Sequence, residues 1–154
     1  MMPGTMKTLF SAGFLVLLSF NLNCFAGEEQ KFVGTWHNQW GSEMRLAVDT
    51  EGRVSGKYHS AVGRKEVTTT EAWFDITGVV NGDVISFVVS WGPTSGAISA
   101  WSGHYLINKA EGLSVPQIRT LTQTSLRILE PTQWQRTVAG TDIFEPGPAS
   151  KATK

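Results

Sequence analysis

The chain has 154 residues with 13 basic and 13 acidic side chains, so its formal net charge is zero. This balance argues against a nucleic-acid or anionic-membrane partner, which a basic stripe would attract. An apolar fraction of 41% argues against intrinsic disorder, and a single Cys excludes a scaffold held by internal disulfides. Six Trp are many for one small domain, and they predict a cavity or an interface lined with aromatic rings.

Residues 1–26 have the pattern of a secretory signal peptide. Lys7 precedes an apolar run over residues 9–20, which is too short to span a bilayer, and Ala26 precedes the expected cleavage point. We therefore expect a secreted protein that begins at Gly27 and resides in the periplasm or outside the cell. The alternative makes Cys24 the lipidated residue of a lipoprotein, but Asn23 before it is not the small residue that such a site usually needs.

The rest of the chain alternates strand-forming runs with turn signals. Gly, Asn, Asp or Pro mark turns at 50–52, 81–83, 92–93 and 109–112, and no segment has a helical period. Eight short strands predict an all-β fold, either a sandwich or an antiparallel up-and-down β-barrel. The interior of an eight-stranded barrel has room for roughly one small ligand. The predicted strands are Gly34–Asn38, Met44–Asp49, Arg53–Ala61, Trp73–Val80, Val84–Trp91, Ile98–Asn108, Gln117–Ser125 and Thr137–Phe144.

The barrel domain is expected over residues 27–146, followed by a disordered tail over residues 147–154. Side chains two residues apart in a strand share a face. The face that carries Trp here also carries small polar groups, and a purely structural core rarely buries so many of them. Aromatic walls with a few fixed polar groups are typical of a small-molecule pocket. The residues on that face include Trp36, Asn38, Trp40, Ser42, Tyr58, Ser60, Trp91, Ser99 and Trp101.

Metal binding and catalysis are not expected. His37, His59 and His104 have the opposite parity from the pocket residues, so we expect them to face outward or into a subunit contact, and no Cys or carboxylate cluster accompanies them. The chain also has no nucleophile elbow, no phosphate-binding Gly-rich loop and no pair of inward carboxylates. We therefore predict a binding protein that is not an enzyme.

Four segments resemble the avidin and streptavidin family of biotin-binding proteins. Residues 34–42 read GTWHNQWGS, residues 56–63 read GKYHSAVG, and residues 99–103 read SAWSG. Trp134 is followed eight residues later by Asp142. The resemblance spans nearly all of residues 33–144 and implies an eight-stranded up-and-down barrel that binds biotin at its open end.

The resemblance also implies a role for each matching residue. Asn38, Ser42 and Tyr58 would donate hydrogen bonds to the ureido carbonyl oxygen of biotin, and Ser60 and Asp142 would accept from its two N–H groups. Three further positions, Val62, Gly63 and Arg64, would form a loop that closes over the ligand and offers backbone N–H groups to its carboxylate. The remaining implied contacts are Ser99 at the thioether sulfur, Trp36, Trp91 and Trp101 around the bicyclic ring, and Trp134 from a neighbouring subunit.

The family resemblance further implies a homo-oligomer, which we expect to be a tetramer, with a dimer as the alternative. It implies no cofactor, since biotin is the ligand. Three departures predict weaker binding than in the best-known members. Thr122 stands where the family usually has a wall Trp, Ala97 stands where it has a hydroxyl for the carboxylate, and Arg64 lies in a lengthened loop. Trp40, where relatives often have an aliphatic residue, could refill part of the space. The alternatives are a lipocalin-like carrier of another small ligand and a protein-interaction barrel with no small ligand.

Overall fold

The computed structural model describes residue 27 and residues 29–62, 72–110, 112–127 and 137–147. One turn of 3-10 helix, Glu29–Phe32, precedes the first strand, and one α-helical turn, α1 (Gly92–Ser95), separates the fifth strand from the sixth. The strands are β1 (Gly34–Asn38), β2 (Glu43–Val48), β3 (Arg53–His59), β4 (Phe74–Asn81), β5 (Val84–Ser90), β6 (Ala97–Ala110), β7 (Leu113–Leu126) and β8 (Thr137–Pro146).

The eight strands form a closed barrel in which each strand pairs with the next one in the chain and β8 returns to β1. All of these pairs are antiparallel, and the closing pair sets His37 opposite Glu145. The predicted all-β, eight-stranded antiparallel up-and-down β-barrel is therefore confirmed. The predicted signal peptide lies outside the described residues, as does the predicted tail beyond Gly147.

Strands β6 and β7 are longer than the sequence predicts. They form one long hairpin whose pairing extends from Ala97 opposite Leu126 to Ala110 opposite Leu113. The predicted seventh strand begins at Gln117, directly after Pro116, whereas the observed β7 begins at Leu113 and contains the proline. Strand β8 begins to pair with β7 only at Ile118, so no ladder hydrogen bond to β8 is required at the proline.

Two glycines allow neighbouring strands to approach closely. A β-carbon on Gly103 of β6 would lie 1.9 Å from the carbonyl oxygen of Arg119 in β7, and one on Gly56 of β3 would lie 2.0 Å from that of Arg45 in β2. Both distances are far inside van der Waals contact. The absent side chains therefore let the sheet bend enough to close into a barrel.

One end of the barrel is filled by large apolar side chains. Phe32 is fully buried, and the Trp36 indole N–H donates to its backbone carbonyl at 2.9 Å. The Tyr105 ring meets Phe32 and Trp36 edge to face, with centroids 5.8 and 6.2 Å apart. We call this the closed end, defined by Phe32, Trp36 and Tyr105. Among the described residues no helix is long and apolar enough to cross a membrane.

Candidate functional site

The opposite end of the barrel holds a cavity of about 740 Å³. Its aromatic wall is a cluster in which the Tyr58 ring lies 5.2 Å from Trp101 and 5.6 Å from Trp91, measured between ring centroids. Phe87 stacks on the far side of Trp101 at 5.0 Å and holds that ring against the cavity. The other lining residues are Asn38, Trp40, Ser60, Val62, Thr94, Ser95, Ala97, Ser99, Thr122, Thr124, Leu126, Arg127, Val138, Ala139, Gly140, Thr141 and Asp142.

The Asp142 carboxylate lies on the cavity floor and is 9% exposed. Its Oδ1 accepts a hydrogen bond from Asn38 Nδ2 at 3.1 Å. Its Oδ2 accepts from Trp101 Nε1 at 2.7 Å and from Thr122 Oγ1 at 2.6 Å. A carboxylate offers about four lone-pair positions, so these three donors fix its orientation and leave acceptor capacity on Oδ1.

Asn38 is held in position by the turn that follows β1. Its side-chain oxygen accepts the backbone N–H groups of Trp40 at 3.1 Å and Ser42 at 2.9 Å. This arrangement identifies the oxygen and nitrogen of the amide, because two backbone donors require the oxygen. The amide nitrogen is thereby directed to the floor, where Asp142 takes one of its two N–H bonds.

Tyr58 and Ser42 add two hydroxyl groups beside Asn38. Burial of the ring raises the pKa of Tyr58 well above its ordinary value of 10.0, a hydrogen bond with Ser42 lowers it, and the Asp142 charge raises it further. The Tyr58 hydroxyl therefore keeps its proton and can donate. Ser42 is fully buried, and its Oγ accepts the Ala61 N–H at 3.1 Å.

A chain of hydroxyl groups holds the Trp91 side of the wall. The Trp91 indole N–H donates to Ser99 Oγ at 2.7 Å, and that hydroxyl lies 2.6 Å from Thr124 Oγ1. Ser99 is 1% exposed. The ring of Trp91 is thus oriented before any ligand arrives, which lowers the ordering cost of binding.

The structure brings most of the residues predicted from the sequence to this cavity, with Trp36 as the clear exception. Asn38 lines the cavity, but Trp36 lies two residues earlier in β1 and packs at the closed end. The expectation that Trp36 encloses a ligand is therefore corrected: its ring belongs to the barrel core and not to the cavity wall. Ser42 also does not line the cavity, and it contacts Tyr58 and the loop backbone instead.

The remaining predicted residues lie at the rim or outside the described part of the chain. Trp40 is 56% exposed and Val62 is 50% exposed, and both line the cavity mouth. The Ser60 hydroxyl donates to the Val62 carbonyl oxygen, so its own oxygen is left to accept. Structure is not described for Gly63, Arg64 and Trp134.

Sequence reasoning missed several lining residues. Thr124 and Leu126 share the parity of Thr122, and Val138 and Gly140 share that of Asp142, so alternation within β7 and β8 could have identified them. Arg127 follows the last residue of β7, where alternation no longer predicts a direction. No sequence pattern would have placed it at the cavity.

The histidines lie away from the cavity lining. His37 is only 8% exposed, and its Nε2 lies 3.3 Å from a Glu43 carboxylate oxygen. His59 packs against the Trp73 ring, with centroids 5.3 Å apart. Within the described residues, no group of three or more His, Cys, Asp or Glu side chains could hold a metal ion.

Comparison with known proteins gives one family and a related structure. A family model described as the avidin family matches residues 26–147. The chain is also similar to a crystal structure of a rhizavidin–biotin complex, with 26% sequence identity and a TM-score of 0.59. That match covers 73% of this chain and 96% of the other.

Proposed function

Because the chain belongs to the avidin family, we propose that its cavity binds biotin, with the ureido ring on the floor formed by Asn38, Tyr58 and Asp142. The observation that carries the proposal is the Asp142 carboxylate, which is fixed by three donors and retains acceptor capacity on Oδ1. A ureido ring has two N–H donors and one carbonyl acceptor. A floor with a carboxylate beside N–H and O–H donors has the complementary pattern.

The ureido carbonyl oxygen would be bound by the donors next to Asp142. Asn38 keeps a second N–H bond beyond the one that Asp142 takes, and the raised pKa of Tyr58 keeps its hydroxyl protonated. Ser60 would accept from the second ureido N–H, since its own proton is directed to the Val62 carbonyl oxygen. These groups are oriented in advance, so each hydrogen bond to the ligand is formed with little reorganisation.

The walls would enclose the apolar part of the ligand. The rings of Trp91 and Trp101 lie 6.4 Å apart between centroids and meet edge to face across the aromatic cluster. A volume of about 740 Å³ is within the range of small-molecule sites, and it exceeds the need of a ligand as small as biotin. Thr122, in place of a larger wall residue, accounts for part of that space and supports weaker binding than in the best-known members of the family.

The proposal is one of binding without turnover. Asp142 is the only acidic side chain that lines the cavity in the described part of the chain, and its Oδ2 already accepts two hydrogen bonds, from Trp101 and Thr122. None of the three histidines is among the described residues that line the cavity. We infer that the protein sequesters its ligand, as a secreted protein.

A homo-oligomer is part of the same proposal. The outer face of β5–β8 carries exposed apolar side chains, among them Val88 at 43%, Ile98 at 54% and Leu121 at 70% exposure. Exposed apolar side chains that share one face of a barrel favour burial against a second subunit. We propose a tetramer, with a dimer as the alternative, in which Trp134 of one subunit contacts the ligand of its neighbour. Light scattering of the purified protein distinguishes the two assemblies from a monomer.

Calorimetric titration of the wild-type protein with biotin tests the central proposal. The expected result is saturation at one biotin per chain. A biotin derivative methylated on both ureido nitrogens is the matched control, because it keeps the ring and side chain but has no N–H to donate to Asp142. Binding of biotin without binding of this derivative supports the proposal. Absence of heat and of thermal stabilisation by biotin on a folded barrel would contradict it.

A further inference from the structure

The cavity carries one charge of each sign among its described lining residues. Asp142 is the anion on the floor, and Arg127 is the cation. Thr122, which donates to Asp142, precedes Arg127 by five residues, and that segment spans roughly 16 Å at the rise of a β-strand. Arg127 directly follows the end of β7 and therefore lies at the cavity mouth. A long ligand would meet an acceptor at its inner end and a cation at its outer end.

Two other polar groups near the mouth form hydrogen bonds within the turn around α1. The Ser95 hydroxyl donates to the Trp91 carbonyl oxygen at 2.9 Å and accepts the Ala97 N–H at 3.2 Å. The backbone N–H of Gly96 donates to the Gly92 carbonyl oxygen at 3.1 Å. These hydrogen bonds hold the turn around α1 in shape, and both groups are neutral.

The side chains beside Arg127 cannot replace it as an anion donor. Ala97, which is 4% exposed, pairs with Leu126, and both are apolar. Thr94 lines the same region but offers only a neutral hydroxyl. Among the described lining residues, Arg127 is therefore the donor at the mouth that carries a positive charge. A guanidinium binds a carboxylate through charge-assisted hydrogen bonds, which are stronger than bonds between neutral groups.

The backbone of Gly96 defines where the Arg127 side chain lies. Gly96 ends α1 with a φ of 57°. A β-carbon added there would lie 2.9 Å from Arg127 Cβ, 3.2 Å from its Cδ and 3.3 Å from its Nε. The arginine stem therefore rests on the bare glycine backbone, next to the helical turn that lines the mouth. The glycine gives the arginine its position at the rim.

We propose that Arg127 is a specificity-determining residue, which binds a free carboxylate at the outer end of the ligand and selects acids over neutral amides. The proposal rests on the proposed binding of biotin, whose side chain ends in a carboxylate. Ala97 has no hydroxyl with which to bind the carboxylate, and the proposal assigns this contact to Arg127 instead. Arg127 is exposed, so solvent and salt screen the interaction, and its contribution is moderate.

Calorimetric titration with biotin and with biotin amide, in which the carboxylate is a neutral carboxamide, tests the proposal. The wild-type protein is expected to bind the acid about fivefold more tightly than the amide at low salt, and added NaCl should reduce this preference. Arg127→Gln should lower affinity for the acid by about the same factor and leave affinity for the amide unchanged. Arg127→Lys keeps the charge and should restore part of the preference.

Arg53→Gln is the matched control, because Arg53 is an exposed arginine on the outer surface that does not line the cavity. It should leave both affinities unchanged. Equal affinity of the wild-type protein for acid and amide would overturn the role of Arg127, and so would an equal loss for both ligands in Arg127→Gln. In either case, tight binding of both ligands would leave the proposed function intact. Failure of both ligands to bind the wild-type protein would overturn the proposed function and, with it, this assignment.

Discussion

At its closed end the barrel is filled by the rings of Phe32, Trp36 and Tyr105, whereas at its open end the inward side chains leave a cavity of about 740 Å³. Both ends use the same inward face of the strands. In β1, Trp36 belongs to the closed end, and Asn38, two residues later, belongs to the cavity floor. Alternation along a strand thus determines which side a residue faces, but it does not determine how deep in the barrel the residue lies.

The two ends also differ in how their polar groups are satisfied. At the closed end, the Trp36 indole N–H donates to a backbone carbonyl within its own segment. At the open end, Trp101 and Thr122 donate to Asp142, a carboxylate contributed by another strand. A network across strands keeps a polar floor rigid with no ligand present, since every donor is already oriented. We therefore expect substitutions at the closed end to affect folding and substitutions at the open end to affect binding.

Phe32→Ala is expected to have the largest effect, and it acts on folding. Removing a fully buried ring from the closed end leaves a cavity, which should reduce the free energy of unfolding by about 3–5 kcal/mol. Thermal unfolding measures this loss. Val33→Ala is the matched control, because Val33 is the next residue and is 43% exposed. The thermal unfolding midpoint of this variant should change little. An unchanged midpoint for Phe32→Ala would contradict a structural role for this end.

Thr122→Val should have an intermediate effect, on binding. The substitution keeps the shape of the side chain but removes the donor that lies 2.6 Å from Asp142 Oδ2. The carboxylate is then less firmly oriented, and affinity for biotin should fall about tenfold, the effect of one hydrogen bond to a charged group. Titration calorimetry measures this. Thr77→Val, on the exposed face of β4, should leave affinity unchanged. Tighter binding by Thr122→Val would show that Thr122 competes with the ligand for Asp142.

The smallest expected effect concerns the pH dependence of stability. Burial raises the pKa of Tyr58 above 10.0, so at higher pH the unfolded chain loses a proton that the folded chain keeps. The stabilisation from the neutral Tyr58 hydroxyl is therefore fully present below about pH 10 and is lost progressively as pH rises above it.

Thermal unfolding between pH 8 and 11 measures this dependence. The decline in stability above pH 10 should be smaller in Tyr58→Phe than in the wild-type protein. Tyr105→Phe, which removes the hydroxyl of the tyrosine at the closed end, is the matched control. This variant keeps Tyr58, so the part of the decline above pH 10 that Tyr58 causes should remain. An identical decline in Tyr58→Phe and the wild-type protein would contradict the assigned burial effect.

The sequence carries enough information for the fold and for most of the floor. Turn residues and alternation predict eight strands, and Asn38, Tyr58, Trp101 and Asp142 meet as expected. The depth of a residue along the barrel could not be predicted from alternation, and for this reason Trp36 was placed at the ligand although its ring lies at the closed end. The hydrogen bond from Thr122 to Asp142 was also not predictable, because it depends on which residues of β7 and β8 lie opposite each other.

Titration of Asp142→Asn with biotin tests the central claim most directly. An asparagine keeps the shape of the side chain but replaces one acceptor oxygen with a donor, which would meet the N–H groups of Trp101 and of the ligand. We expect a loss of at least about 100-fold in affinity, with the barrel still folded. Asp75→Asn is the matched control, since Asp75 is 81% exposed and pairs with Lys57, and it should bind as the wild-type protein does. Affinity within a few-fold of wild type in Asp142→Asn would contradict the account.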